Sequence, residues 1–198
     1  MDRQTWLVAL GALYVAAEVI SNVTAGRLVE VFGLVLPGAA FLYALTFTLR
    51  DAFHLVGGFG LAKRLVWVGL FANALLVLYG ALVNALPHPA FFHPEPYEAV
   101  LSTAFRVVGA SLAAYWVSTM ADTLLFERWR GSLWGRVAFS NLASTALDSM
   151  VFIGLAFGGT GAPLALMVGS QTVVKFATSL LLLPLVYGVR ASLRRAVA

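Results

Sequence analysis

Apolar positions in this chain gather into long runs, and polar positions fall either between those runs or at helical spacing inside them. Six runs stand out, at about 5–25, 34–54, 65–86, 101–125, 136–158 and 162–188. A helix needs about 20 largely apolar residues to cross a bilayer core. Lipid tolerates only helices or closed barrels, because every backbone polar group must be satisfied within the protein. The runs are far too long for barrel strands. The pattern therefore predicts an all-α integral membrane protein, a six-transmembrane-helix bundle forming a single domain over 1–198. Connections are short except from Pro87 to Glu98, where Pro87, Pro89, Pro94 and Pro96 impose an extended, irregular loop. The first run continues past any signal-peptide core and lacks a clean cleavage site, which argues against a cleaved leader.

The polar positions inside the runs sort into stripes, since residues three and four apart share a helix face. Helix 1 lines up Tyr14, Glu18, Ser21 and Asn22; helix 4 lines up Ser111, Tyr115, Ser118 and Asp122. Helix 5 offers Asn141, Ser144, Thr145 and Asp148, and helix 6 offers Gln171, Lys175 and Thr178. Helices 4 and 5 also carry an echo. Ser118-Thr119-Met120-Ala121-Asp122-Thr123-Leu124-Leu125-Phe126 is repeated 26 residues later as Ser144-Thr145-Ala146-Leu147-Asp148-Ser149-Met150-Val151-Phe152. The stripes should converge on a polar cavity inside an apolar shell.

Composition and charge sharpen this picture. The chain is 61% hydrophobic and 11% charged, with a mean hydropathy of +0.88; a soluble domain carries roughly 25% charged residues. The net charge of +4 could suggest a nucleic-acid partner, but the basic residues sit between apolar runs, as in cytoplasmic loops, and no nucleic acid is expected. With the N-terminus inside, nine cations (Arg3, Lys63, Arg64, Arg128, Arg130, Arg136, Arg190, Arg194 and Arg195) face the cytoplasm, against Arg27 outside. The positive-inside rule then puts the N- and C-termini in the cytoplasm. Trp6, Trp67, Trp129, Trp134 and Tyr187 fall near the same boundaries, where amphipathic rings prefer to sit.

Seven ionisable residues remain within or at the edge of the runs: Glu18, Arg50, Asp51, Arg106, Asp122, Asp148 and Lys175. Each costs about 2.5–3.5 kcal/mol at a helix centre, so they should pair or face a wet interior. Depth predicts that Asp148 meets Lys175 and, as a weaker pair, that Glu18 meets Arg106. Ser, Thr and Asn in such helices also serve as interhelical glue. The absence of cysteine removes disulfides, thiol catalysis and thiolate metal sites. His88 and His93 lack a third ligand, so neither a metal nor a cofactor is expected. Gly57-Gly58-Phe59-Gly60 reads as a flexible turn, with no Lys-Ser/Thr to make a phosphate cradle. Gly154 to Gly158 has the spacing for close helix approach or for pairing two copies as a homodimer. No serine, histidine or zinc-protease signature is present, so the chain does not read as an enzyme.

The chain resembles the bacterial queuosine precursor transporters, grouped with the vitamin-uptake transporters. The likeness runs from Leu36-Pro37-Gly38-Ala39-Ala40-Phe41 through Leu45-Thr46-Phe47 to Asp51, then Ala62-Lys63-Arg64-Leu65-Val66-Trp67. It continues with Ser111-Leu112-Ala113-Ala114-Tyr115, Asp122 and Phe126, Asn141-Leu142-Ala143-Ser144-Thr145, Asp148-Ser149, Phe152, and Lys175 to Pro184-Leu185-Val186-Tyr187. The resemblance implies uptake of a 7-deazaguanine, in its cyano or aminomethyl form, across the bacterial plasma (inner) membrane. A substrate-binding membrane component of a multi-subunit vitamin or nucleobase uptake system is the alternative; Ala12 and Ala16 have the spacing for such docking.

Candidate substrate-binding residues for this small, purine-like molecule are Glu18, Asn22, Arg106, Tyr115, Asp122, Asn141, Ser144, Asp148, Gln171 and Lys175. Chemistry suggests their roles. Asp148 or Glu18 could accept the two adjacent N–H donors of a guanine-like edge, and Asn22, Asn141, Gln171 or Lys175 could serve its carbonyl. Tyr115 or Phe139 could stack on the ring. Asp148 is expected at mid-membrane and Asp122 at the inner boundary, as a cytoplasmic gate.

Overall fold

A computed structural model describes residues 3–128, 133–178 and 181, with the side chains of 44, 119 and 122–141 outside that description. Among these residues six helices run in the order α1 (Arg3–Thr24), α2 (Ala40–Gly57), α3 (Phe59–Ala85), α4 (Glu95–Arg128), α5 (Leu133–Phe157) and α6 (Leu164–Thr178). Three stretches of the described residues, Arg3–Thr24, Phe59–Ala85 and Glu95–Ser118, are long and apolar enough to cross a membrane. Large apolar side chains such as Val8, Phe71, Leu75, Leu78 and Trp116 are each more than 60% exposed. So many large apolar side chains left exposed are unfavourable against water and suit lipid.

One element departs from the all-α expectation. The run that starts at Leu34 is not helical until Ala40: β1 (Leu28–Val31) and β2 (Leu34–Pro37) form an antiparallel hairpin between α1 and α2. Its two-residue turn holds Phe32 at φ 53 and Gly33 at φ 76, the doubly left-handed geometry that matches strand twist. Pro37 cannot continue a helix backwards into the run, and Gly38 follows it into a tight corner. A Cβ at Gly38 would lie 3.0 Å from the Thr24 carbonyl oxygen and 3.1 Å from that of Arg27, so any larger residue would press the backbone of this corner apart. The hairpin is tied down at Leu36, which is fully buried and packs with Ala40 and Val174 of α6. We predict that Leu36→Ala lowers stability by about 2–5 kcal/mol, read as an earlier thermal unfolding of the detergent-solubilised protein.

Other boundaries have local causes. Gly58, at φ 82, separates α2 from α3 and donates its N–H to the His54 carbonyl at 2.7 Å. That single glycine is the turn expected from Gly57 to Gly60, and it lets α3 begin at Phe59 rather than near 65. α4 begins at Glu95 rather than near 101, because Pro96 falls in the first turn, where its missing N–H costs nothing. Glu95 and Glu98 complement the helix N-terminus.

The buried apolar residues form two main packing groups. Leu10, Ala17, Leu49, Phe53 and Leu65 join α1, α2 and α3. Val107, Ala114, Phe152, Ile153 and Met167 join α4, α5 and α6. Gly154 is exposed, with open space where a Cβ would go. Among the described residues no helix packs closely against Gly154.

Candidate functional site

A small cavity with a mixed polar and apolar wall borders the α4–α6 packing group. Ser21 and Asn22 reach it from α1, Tyr43 from α2, Ser111 from α4, Asp148 and Phe152 from α5, and Gln171 from α6. Pro37 at the hairpin base, Val107 of α4 and four alanines, Ala25, Ala39, Ala40 and Ala114, complete the wall. The polar stripes do meet, because each of these helices turns its apolar remainder to a packing group or to lipid. The cavity measures about 20 Å³, room for about one water molecule. The small alanine side chains leave the Tyr43 and Phe152 rings as its bulkiest walls.

The ion pair expected from depth is present: the Lys175 ammonium donates to the Asp148 carboxylate, and both side chains are almost fully buried. Lys175 Nζ also sits 5.6 Å from the centre of the Tyr43 ring, within cation–π range. Ser118 Oγ lies 3.5 Å from Asp148 Oδ1. A second network fixes Asn22, whose amide donates to Asn73 Oδ1 at 2.6 Å and whose Oδ1 faces the Ser111 hydroxyl at 3.4 Å. Asn73 in turn donates to the Gly69 carbonyl at 3.0 Å. Two polar groups on the cavity wall have no hydrogen-bond partner among the described residues: Ser21 Oγ and Gln171 Oε1, on residues only 1% and 4% exposed. Leaving such atoms unsatisfied costs about 1–3 kcal/mol each, a cost that a water or another polar group in the cavity would relieve.

The other sequence candidates lie elsewhere. Ser144 is half-buried one turn from Asp148 but does not line the cavity. Tyr115, 38% exposed, does not line this cavity; Tyr43 and Phe152 are the rings that do. Glu18 lies off the cavity, beside the Tyr14 and Thr46 hydroxyls. Arg106 does not meet Glu18. Its guanidinium donates to the carbonyls of Leu155, at 2.7 Å, and Gly158, because the exposed carbonyls ending α5 attract a cation. The side chains of Asp122, Asn141 and Phe139 lie outside the described residues.

Sequence reasoning missed Tyr43, Phe152 and the buried Asn73. Tyr43, Thr46 and Arg50 stand at steps of three and four in α2 and form a fifth polar stripe, the signal that would have found Tyr43. Arg50 itself pairs with the neighbouring Asp51 at 3.8 Å.

Comparison with known proteins adds to this geometry. The family described as "Putative vitamin uptake transporter" matches residues 37–189. Among curated proteins, the "Probable queuosine precursor transporter" of Bacillus subtilis (strain 168) is 28% identical over 185 residues, spanning 88% of this chain and 80% of that protein. No solved structure matches.

Proposed function

From the premise that this chain belongs to the vitamin uptake transporter family, we propose that it carries a 7-deazaguanine precursor of queuosine, unchanged, across the bacterial plasma membrane. The observation that carries the reading is the pair of buried, unpartnered polar atoms, Ser21 Oγ and Gln171 Oε1, on a wall that also holds Asp148 and two aromatic rings. A guanine-like ring presents two adjacent N–H donors, a carbonyl acceptor and two flat apolar faces. Asp148 accepts from the donor edge, the Gln171 and Asn22 amides complete the polar contacts, and Tyr43 and Phe152 cover the faces. An aminomethyl group on the ring adds a cation, which Asp148 can also receive.

A cavity of about 20 Å³ is too small for a bicyclic ring, so loading requires the walls to part. Its wall combines residues of α1 and α2 with residues of α4, α5 and α6, two groups of helices. Rocking one group against the other would open it to one side at a time, the usual route of alternating access. The excess of Lys and Arg on one set of loops supports cytoplasmic termini. The test is uptake of radiolabelled 7-cyano-7-deazaguanine into cells unable to make the precursor. Supplying this protein should raise uptake at least tenfold; unchanged uptake would remove the substrate assignment.

A further inference from the structure

Two carboxylates sit inside this bundle in different company. Asp148 is neutralised by the Lys175 ammonium. Glu18, partly buried on α1, has no Lys, Arg or His within 4 Å among the described residues. Its hydrogen-bonding neighbours are the hydroxyls of Tyr14, one turn earlier on α1, and Thr46 on α2. Arg50 stands further along α2, held at 3.8 Å from Asp51 and stacked 5.4 Å from the Phe47 ring.

We propose that Glu18 is a proton-binding site that couples transport to a pH difference across the membrane. This inference rests on the transport reading above and goes beyond it. An intramembrane carboxylate is costly when ionised, and the means of neutralising this one is a proton rather than a fixed cation. Hydroxyl neighbours suit the task, because a hydroxyl can donate or accept and so satisfy both forms. Thr46 Oγ donates to the Tyr43 carbonyl at 2.7 Å, which leaves its lone pairs to receive a proton from the Glu18 acid. Once Glu18 loses that proton, the carboxylate competes for the Thr46 hydrogen and draws it off the Tyr43 backbone.

That exchange is placed where it can matter. On α1, Glu18 is followed at three and four residues by Ser21 and Asn22; on α2, Thr46 follows Tyr43 by three. All three of those neighbours line the cavity. The α1–α2 contact that senses the proton thus carries the cavity wall one turn away, giving the two sites a shared element through which to bias one another.

The groups that face Glu18 can be named. Tyr14 comes from α1, and Tyr43 and Arg50 from α2. Asp148 of α5 interacts with the far side of this cluster through Tyr43. Tyr115 of α4 faces Tyr14, and from α3 the amide Asn73 bonds Asn22, one turn from Glu18.

The experiment uses the full chain in liposomes with radiolabelled 7-cyano-7-deazaguanine, and two assays. One measures accumulation under an imposed pH difference, acidic on the side of entry. The other measures exchange of label between the two faces at equal pH, which needs no net proton movement. One proton per neutral substrate permits accumulation of up to about tenfold per pH unit. The native protein should approach that in the first assay and exchange in the second. Glu18→Gln, which mimics the protonated form, should keep exchange within about threefold while accumulation falls to the level without a gradient. Glu18→Asp should recover part of it, and retained exchange certifies that each variant is folded. Native exchange with no response to the gradient, or gradient-driven accumulation by Glu18→Gln, overturns the proton assignment alone. Failure of the native chain to exchange the label overturns the transport reading together with it.

Discussion

Replacing Lys175 alone by methionine should lower the unfolding free energy by about 3–5 kcal/mol and abolish uptake, because it strands a buried carboxylate without its counter-charge. The Lys175 and Asp148 side chains are only 5% and 13% exposed, so water cannot take over the lost charge. Asp148→Leu should be about as destabilising, since it takes the carboxylate away from the buried ammonium that sits over the Tyr43 ring. The double variant Asp148→Leu with Lys175→Met separates the two roles of the pair. Buried ion pairs can often be exchanged for apolar residues with little loss of stability, so the double variant should melt near the native temperature. It should still not transport, because the carboxylate that meets the substrate's donor edge is gone. Thermal unfolding in detergent and uptake by the same preparations check both halves. Recovered uptake in the double variant would reduce the pair to a structural role.

Gln171→Leu should act with opposite signs on stability and function. The Gln171 side chain is buried, yet its Oε1 has no partner. Exchanging an unsatisfied buried amide for an apolar group of similar size should raise stability by about 1–2 kcal/mol. The same change removes a polar contact from the cavity wall, and uptake should fall at least tenfold. A residue kept only for packing would show no such opposition; a core residue in good contact would lose stability and function together. Melting temperature and uptake, measured side by side, distinguish these cases.

Helix number and the inward-facing stripes were legible in the sequence because lipid imposes a simple rule: long apolar runs must be helices, and their polar residues must turn away from the tails. Asp148 and Lys175 could be paired from depth alone, since helices 5 and 6 are consecutive and joined by a short connection. Depth failed for Glu18 and Arg106 because it says nothing of azimuth. Arg106 turns to the end of α5, where open carbonyls compete for it, and Glu18 turns to α2.

The hairpin was hidden for a related reason. Leu34 to Leu36 are as apolar as a helix requires, and the corner that excludes one depends on Gly38 approaching the Thr24 carbonyl, a contact between segments. Tyr115 shares a stripe with Ser111, but a step of four drifts around the helix, so Ser111 lines the cavity and Tyr115 does not. The Ser118–Phe152 echo marks two helices of one cavity, of which the second copy places Asp148 and Phe152 on the wall.

The central claim is that the wall formed by Ser21, Asn22, Asp148 and Gln171 receives a purine-like ring. Equilibrium binding of tritiated 7-cyano-7-deazaguanine to the purified full chain, native and Gln171→Leu, tests it most directly. The native protein should bind saturably, with displacement by the aminomethyl form and none by riboflavin, and Gln171→Leu should weaken binding at least tenfold while remaining folded. No saturable binding to the native chain, or native-like binding by Gln171→Leu, would contradict it.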